Sequence, residues 1–171
     1  LNFDSSGDFT LECWFNVEAW GPTTTSPIFS TSPVSDWSFN GVYSGNASSP
    51  RYDRFFLHAS STKLELTYSN MTGNGDNAGD MMLTADVDVD TNRWYHVAVV
   101  YTKTPQLFEM YLDGVLITTG STSAQRAFDI DHHNFTVGGG KYWTGHPGNP
   151  FSGSPNLDSK LLIGYVQDFR V

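Results

Sequence analysis

Phe9-Thr10-Leu11-Glu12-Cys13-Trp14-Phe15-Asn16-Val17 carries an apolar side chain at every odd position and a mostly polar one at the even positions. Successive side chains of an extended strand point to opposite faces. This period of two therefore describes a half-buried strand with Phe9, Leu11, Cys13, Phe15 and Val17 turned to a core. A helix needs apolar residues three and four apart, and no stretch of the chain keeps that spacing over three turns. Shorter strands are expected at residues 27–30, 37–43, 54–59, 63–69 and 81–87. Turn-forming Gly21-Pro22, Ser44-Gly45-Asn46 and Thr72-Gly73-Asn74-Gly75 separate them.

The middle of the chain repeats the pattern more strongly. Trp94-Tyr95-His96-Val97-Ala98-Val99-Val100-Tyr101 is apolar on both alternations, which predicts a central strand covered on both faces. Residues 107–112 and 115–118 flank Asp113-Gly114, a pair suited to the positive φ angles of a tight hairpin turn. Residues 135–137 and 161–171 complete the strands, and two long linkers, 119–133 and 141–160, carry aromatics and histidines. The first core expected from this pattern is Phe9, Leu11, Phe15, Val97, Val99, Leu112 and Phe169, with Asp86, Asp88 and Asp90 left in water.

Composition agrees with an all-β chain. Aromatics make up 15% of 171 residues, alongside many Ser, Thr, Gly and Asn. A single domain spanning 1–171 fits this length and buries roughly 70% of the surface its unfolded form exposes. The chain begins with Leu, the mark of processing or of a position inside a longer polypeptide. The formal charge is -9 without any basic run, which argues against nucleic acid and against anionic membrane surfaces. No apolar stretch has the length of a membrane span. Cys13 is single, has no intrachain partner, and reads as a small buried hydrophobe. Sequons at Asn46, Asn70 and Asn134 are no more than such a composition gives by chance.

Five pieces in this order resemble the laminin G-like family, in its bacterial and bacteriophage versions. They are the lead-in and strand of residues 3–15, Arg93-Trp94-Tyr95-His96-Val97-Ala98-Val99-Val100-Tyr101, Tyr111-Leu112-Asp113-Gly114, Val137-Gly138-Gly139, and the closing stretch 163–171. The resemblance implies a two-sheet antiparallel jelly-roll sandwich of the concanavalin A-like type, with first and last strands paired. It also implies binding of glycans or neighbouring protein subunits at rim loops, often through calcium. The disulfide of animal members is missing, which points to a non-animal origin, and the resemblance by analogy then implies an extracellular or virion setting such as a phage tail.

The same architecture hosts glycoside hydrolases whose two carboxylates lie on one strand face in an E-x-D-x-x-E pattern. Glu occurs at 12, 18, 65 and 109, and the positions two residues on hold Trp14, Trp20, Thr67 and Tyr111. That route to catalysis is closed. No G-x-S-x-G elbow occurs, and Cys13 faces inward, so a binding role is expected and no catalytic residue is assigned.

The acids are lopsided towards aspartate, whose short stem suits turns and calcium loops. Asp86-Val87-Asp88-Val89-Asp90 starts like a calcium loop but has Thr91 where Gly is required and Val97 where the closing Glu belongs. It reads better as an edge strand with valines inward. Asp76 and Asp80 in a Gly- and Asn-rich loop, or Asp129 and Asp131, are the candidate calcium ligands, against solvated turn chemistry as the alternative. His132-His133 would point to opposite faces of a strand, which disfavours zinc. His96 reads as a hydrogen-bonded structural histidine.

Sugar binding requires an exposed aromatic plate with polar groups around it. Trp37, Tyr52, Tyr142 and Trp143 are the candidate plates. Lys141-Tyr142-Trp143-Thr144-Gly145-His146-Pro147-Gly148-Asn149 is the favoured loop, with Tyr142 or Trp143 stacking and Lys141, His146 and Asn149 reaching hydroxyls. A glycan held by this loop, or neighbouring protein subunits packed without a small ligand, are the two partners the sequence leaves open.

Overall fold

A computed structural model describes residues 7–20, 25–32, 52–71, 81–121, 134–141 and 159–171. Within them the chain forms β1 (Phe9–Ala19), β2 (Thr25–Ser32), β3 (Tyr52–Ser60), β4 (Lys63–Met71), β5 (Met81–Asp86), β6 (Trp94–Thr102), β7 (Leu107–Leu112), β8 (Val115–Ser121), β9 (Asn134–Val137), β10 (Gly139–Lys141), β11 (Ser159–Leu161) and β12 (Ile163–Arg170), with no helix. One sheet runs β12-β1-β6-β7-β8 and the other β5-β4-β3-β2-β9, and β10 pairs with β11 as a separate ribbon. Every pairing is antiparallel. The expected strand at 37–43 lies outside the described residues.

The alternation in β1 translates directly into packing. Leu11, Cys13, Phe15 and Val17 are buried and meet Val97, Val99, Tyr95 and Tyr101 from β6 and Phe108 and Met110 from β7. The second sheet supplies Ile28, Phe29, Leu57, Ala59, Leu64, Leu66, Leu83 and Ala85 to the same core. The Phe15 and Tyr95 rings stack with centroids 5.5 Å apart. Phe29 of β2 meets Phe169 of β12 edge-on at 5.9 Å, tying one sheet to the other.

Three expected core residues are less buried than the alternation predicts. Phe9, Leu112 and Phe169 pack against the core but remain partly exposed. Each sits where cover runs out. Phe9 opens β1, Leu112 abuts a hairpin turn, and Phe169 closes an edge strand.

The β6 strand also departs from expectation. Tyr95, Val97, Val99 and Tyr101 are buried, while His96, Ala98 and Val100 are half-buried and Trp94 is exposed. Only one of its faces is fully covered. The other belongs to a sheet surface that water reaches.

The Asp113-Gly114 turn forms as expected, with φ of 50° and 79°. Asp113 secures it, accepting from the His96 amide at 2.8 Å while its own amide donates to the His96 carbonyl at 2.7 Å. Asp86, Asp88 and Asp90 are exposed and Val89 is buried, as expected. The strand itself ends at Asp86. Beyond it the Val87 and Val89 amides donate to the Thr62 and Ser61 carbonyls, which keeps the valines inward without a regular ladder. The two long linkers are shorter than read, since β8 continues to Ser121 and the ribbon takes Lys141 and Ser159–Leu161.

Two irregularities shape β12. Asp168, at φ 51°, marks the extra residue between the Glu12–Arg170 and Trp14–Gln167 pairs. This bulge turns Phe169 to the core and leaves Arg170 outside. At the other end Gly164 pairs with Val17, just before a second register shift. A Cβ at Gly164 would fall inside contact distance of the Asn16 carbonyl oxygen, so the side chain's absence is what lets the strands close here.

Candidate functional site

The outer face of the β12-β1-β6 strands gathers the exposed aromatic rings of the described residues. Trp14, Asn16 and Glu18 alternate with the buried Phe15 and Val17, so they face away from the core. Register then places side chains in rows. Gln167, Trp14 and His96 form one row, and Tyr165, Asn16 and Trp94 the next. Trp14 and Trp94 are each 40% exposed and Tyr165 55%.

The neighbouring row of Arg170, Glu12 and Ala98 braces the first. Glu12 accepts from Arg170 at 3.4 Å and stands 3.5 Å from the His96 Nε2, while the Trp14 and His96 rings lie 5.1 Å apart. His96 is thus a partnered residue of the sheet surface, as its structural reading requires, though it lies on the open face. In the second row the Tyr165 hydroxyl donates to Glu18, and that hydrogen bond, with the Glu18 charge, raises the phenol above its ordinary range. The Trp94 and Tyr165 rings approach to 6.2 Å. Between them Asn16 is only 7% exposed, and its Oδ1 has no hydrogen-bond partner.

Such a face can stack on a flat apolar surface and exchange hydrogen bonds at its margin. Its acceptors are the Glu12 and Glu18 carboxylates and Asn16 Oδ1, and its donors include Arg170 and the Trp14 and Trp94 indole nitrogens. The Cys13 thiol lies on the opposite, core side; burial, helped by the Glu12 charge, pushes its pKa up to about 12. It stays protonated at neutral pH and supplies no nucleophile. On the second sheet His58 and Glu65 form a shielded pair, 3.0 Å from Nε2 to carboxylate.

Most of the residues singled out in sequence are not among those described. Tyr142, Trp143, His146 and Asn149 lie outside the described residues, as do Trp37, Asp76, Asp80, Asp129, Asp131, His132 and His133. Lys141 ends β10 opposite Ser159, and Tyr52 opens β3. Among the described residues no three His, Cys, Asp or Glu side chains gather as a metal site, and no helix is long and apolar enough to cross a membrane. The outer-face rings are absent from the sequence-based candidates although β1 announces them, because the same alternation that buries Phe15 exposes Trp14.

An antiparallel two-sheet sandwich with paired first and last strands is the architecture of a lectin-like domain. The chain belongs to the concanavalin A-like lectin/glucanases superfamily, whose pattern matches residues 1–158. No curated protein matches it in sequence. Its fold is similar to the sialidase CBM40 of Ruminococcus gnavus bound to α2,3-sialyllactose, at TM-score 0.56 and 16% identity over 96% of this chain and 78% of that one. It is also similar to domains LG4-5 of the mouse laminin α1 chain, at TM-score 0.59 and 11% identity over 96% of this chain and 35% of that one. The SAP-like pentraxin of Limulus polyphemus shares the fold at TM-score 0.50 and 13% identity, over 98% of this chain and 64% of that one.

Proposed function

We propose that this domain is a non-catalytic module that binds carbohydrate, working as part of a larger extracellular or virion protein. The observation that carries the reading is the open sheet face on which Trp14, Trp94 and Tyr165 stand exposed beside Asn16, Glu12 and Glu18. Exposed rings supply apolar area at little conformational cost, and neighbouring polar groups orient hydroxyls. The sugar-binding fold neighbour lends support by analogy of fold. The absent E-x-D-x-x-E pattern and the protonated Cys13 thiol support the non-catalytic half.

The loop from Lys141 to Asn149 is proposed as a rim that contributes Tyr142 or Trp143 to the same function, and one calcium is proposed at Asp76 and Asp80 or at Asp129 and Asp131. A glycan array on the intact chain tests the reading. Wild type binds a defined glycan set, and Trp143→Ala weakens it if the rim loop takes part. A wild type that binds no glycan overturns the carbohydrate reading.

A second reading, a structural module packed against neighbouring subunits, rests on Val115 and Leu116. These apolar residues are 64% and 46% exposed on the edge strand β8. Light scattering that shows a monomer at micromolar concentration argues against self-association through that edge.

A further inference from the structure

The Asn16 row carries a more specific inference, one that rests on the carbohydrate reading. Trp94 and Tyr165 belong to strands on either side of β1, which stand roughly 10 Å apart across two strand spacings. Their ring centroids are only 6.2 Å apart, tilted by 33°. The two rings therefore lean towards each other over β1 and roof the residue between them. That residue is Asn16, which is 7% exposed on a face where its two neighbours are 40% and 55% exposed. Its Oδ1 is buried and has no hydrogen-bond partner.

An acceptor withdrawn from water and left unpaired costs free energy, and buried groups of this kind call for an explanation. Apolar Leu or Val would fill the same place without that cost. We propose that Asn16 is the polar floor of a monosaccharide subsite whose walls are Trp94 and Tyr165, and that the sugar it takes is a neutral pyranose. Glu18 lies beside the Tyr165 hydroxyl and favours its protonated form. The Trp94 ring is the member that swings aside, as exposed side chains do on a fast timescale. The sugar's C–H face then lies against the rings, and one hydroxyl donates to Asn16 Oδ1. A second hydroxyl donates to the Glu18 carboxylate.

The charge pattern sets the class. Asn16 Oδ1 is the unpaired acceptor at this row and Glu18 is a carboxylate beside it, and sugar hydroxyls can donate to both. An acidic sugar would bring its carboxylate beside Glu18 on a chain of formal charge -9. The nearby cations are already engaged, Arg170 with Glu12 at 3.4 Å and Arg93 with Asp113 at 3.3 Å. Each already has a carboxylate beside it, which lowers the positive potential it offers to a sialic or uronic acid.

The test uses the intact chain and an array holding neutral hexose and N-acetylhexosamine oligosaccharides beside their sialylated and uronate-containing counterparts. Titration calorimetry then follows the best neutral binder against Trp94→Ala, Tyr165→Ala and Asn16→Leu. Wild type is expected to bind neutral glycans and to reject the acidic ones. Each variant is expected to lose about tenfold or more in affinity. Asn16→Leu separates binding from folding, because it is expected to melt at or above the wild-type temperature while losing the sugar. Should wild type bind neutral glycans and all three variants bind equally well, this subsite is refuted while the carbohydrate reading stands. Binding confined to acidic glycans refutes the proposed class. Binding to no glycan refutes the carbohydrate reading and the subsite with it.

Discussion

Gly164→Ala is the substitution through which the fold and the candidate site can be tested together. Gly164 sits at φ +156°, where L side chains are rarely found, and the cost of holding a residue there is about 1–3 kcal/mol. The added methyl would also meet backbone, with the Asn16 carbonyl carbon at 3.0 Å and the Val17 Cα at 3.1 Å, and the Asn16 oxygen closer still. Backbone in a paired strand yields only by moving the strand, which adds about 1–3 kcal/mol. The expected total, about 2–6 kcal/mol, is a large share of the roughly 5–15 kcal/mol that holds a domain folded. Gly114→Ala is the control, since Gly114 has φ +79° but nothing within 4 Å of the methyl it would gain. It should cost only the backbone part, about 1–2 kcal/mol. Urea unfolding with the slope held common to all three proteins measures both. Tryptophan emission in the folded state should shift to the red for Gly164→Ala alone, because β12 carries Tyr165 away from Trp94. A Gly164→Ala loss below about 1 kcal/mol, or one equal to that of Gly114→Ala, would refute the close approach of β12 to β1.

Three further expectations follow from the core and the acidic loops. Phe15→Ala removes a fully buried ring stacked on Tyr95 and should cost about 3–5 kcal/mol by urea unfolding; a loss below about 1 kcal/mol would mean the wrong face of β1 has been assigned to the core. Cys13, with its thiol at about 12 against an ordinary 9.0, should resist a thiol reagent at pH 8 until denaturant is added. Since the folded form holds this proton more tightly, its contribution is intact below pH 9 and falls as pH climbs from there towards 12. Cys13→Ala should make the alkaline fall shallower, leaving the part due to tyrosines whose phenols are also raised. Millimolar calcium should raise the melting temperature over that in chelator, because a cation bound only to the folded chain stabilises it by mass action; an unchanged temperature would remove the proposed site at Asp76 and Asp80 or at Asp129 and Asp131.

Much of this fold is legible in local pattern because its rules are local. The period of two in β1 and the Asp-Gly turn between β7 and β8 each depend on a few adjacent residues, and both form as expected. The outer-face row is harder to see. Asn16, Trp94 and Tyr165 come from three distant segments, and only the register of β12-β1-β6 sets them side by side. That register depends on a bulge at Asp168 and a shift near Ala19, neither of which has a distinctive sequence signal beyond the glycine at 164. A ring's exposure on a strand can be inferred from alternation; its partners across the sheet cannot. The loop aromatics stand out in sequence because glycines around Trp143 advertise a turn, whereas Trp14 and Trp94 stand inside strands that look like core.

The β6 strand shows what that likeness to core conceals. A strand apolar on both alternations is ordinarily covered on both faces, since uncovered apolar area gains nothing from folding. Here the covered alternation is Tyr95, Val97, Val99 and Tyr101, and the other is Trp94, His96, Ala98 and Val100, on a face where Trp94 is 40% exposed. The neighbouring strands repeat the choice with Trp14 and Tyr165 rather than with the lysines and threonines that would make an inert sheet surface. These rings keep 40–55% of their surface in water and stand over a buried acceptor without a partner, and leucine at Asn16 would remove the cost of that acceptor. A face that leaves large rings half in water over an unpaired acceptor is accounted for if its cover arrives from outside the chain, and the proposed sugar, with hydroxyls to donate to Asn16 Oδ1, is a cover of that kind.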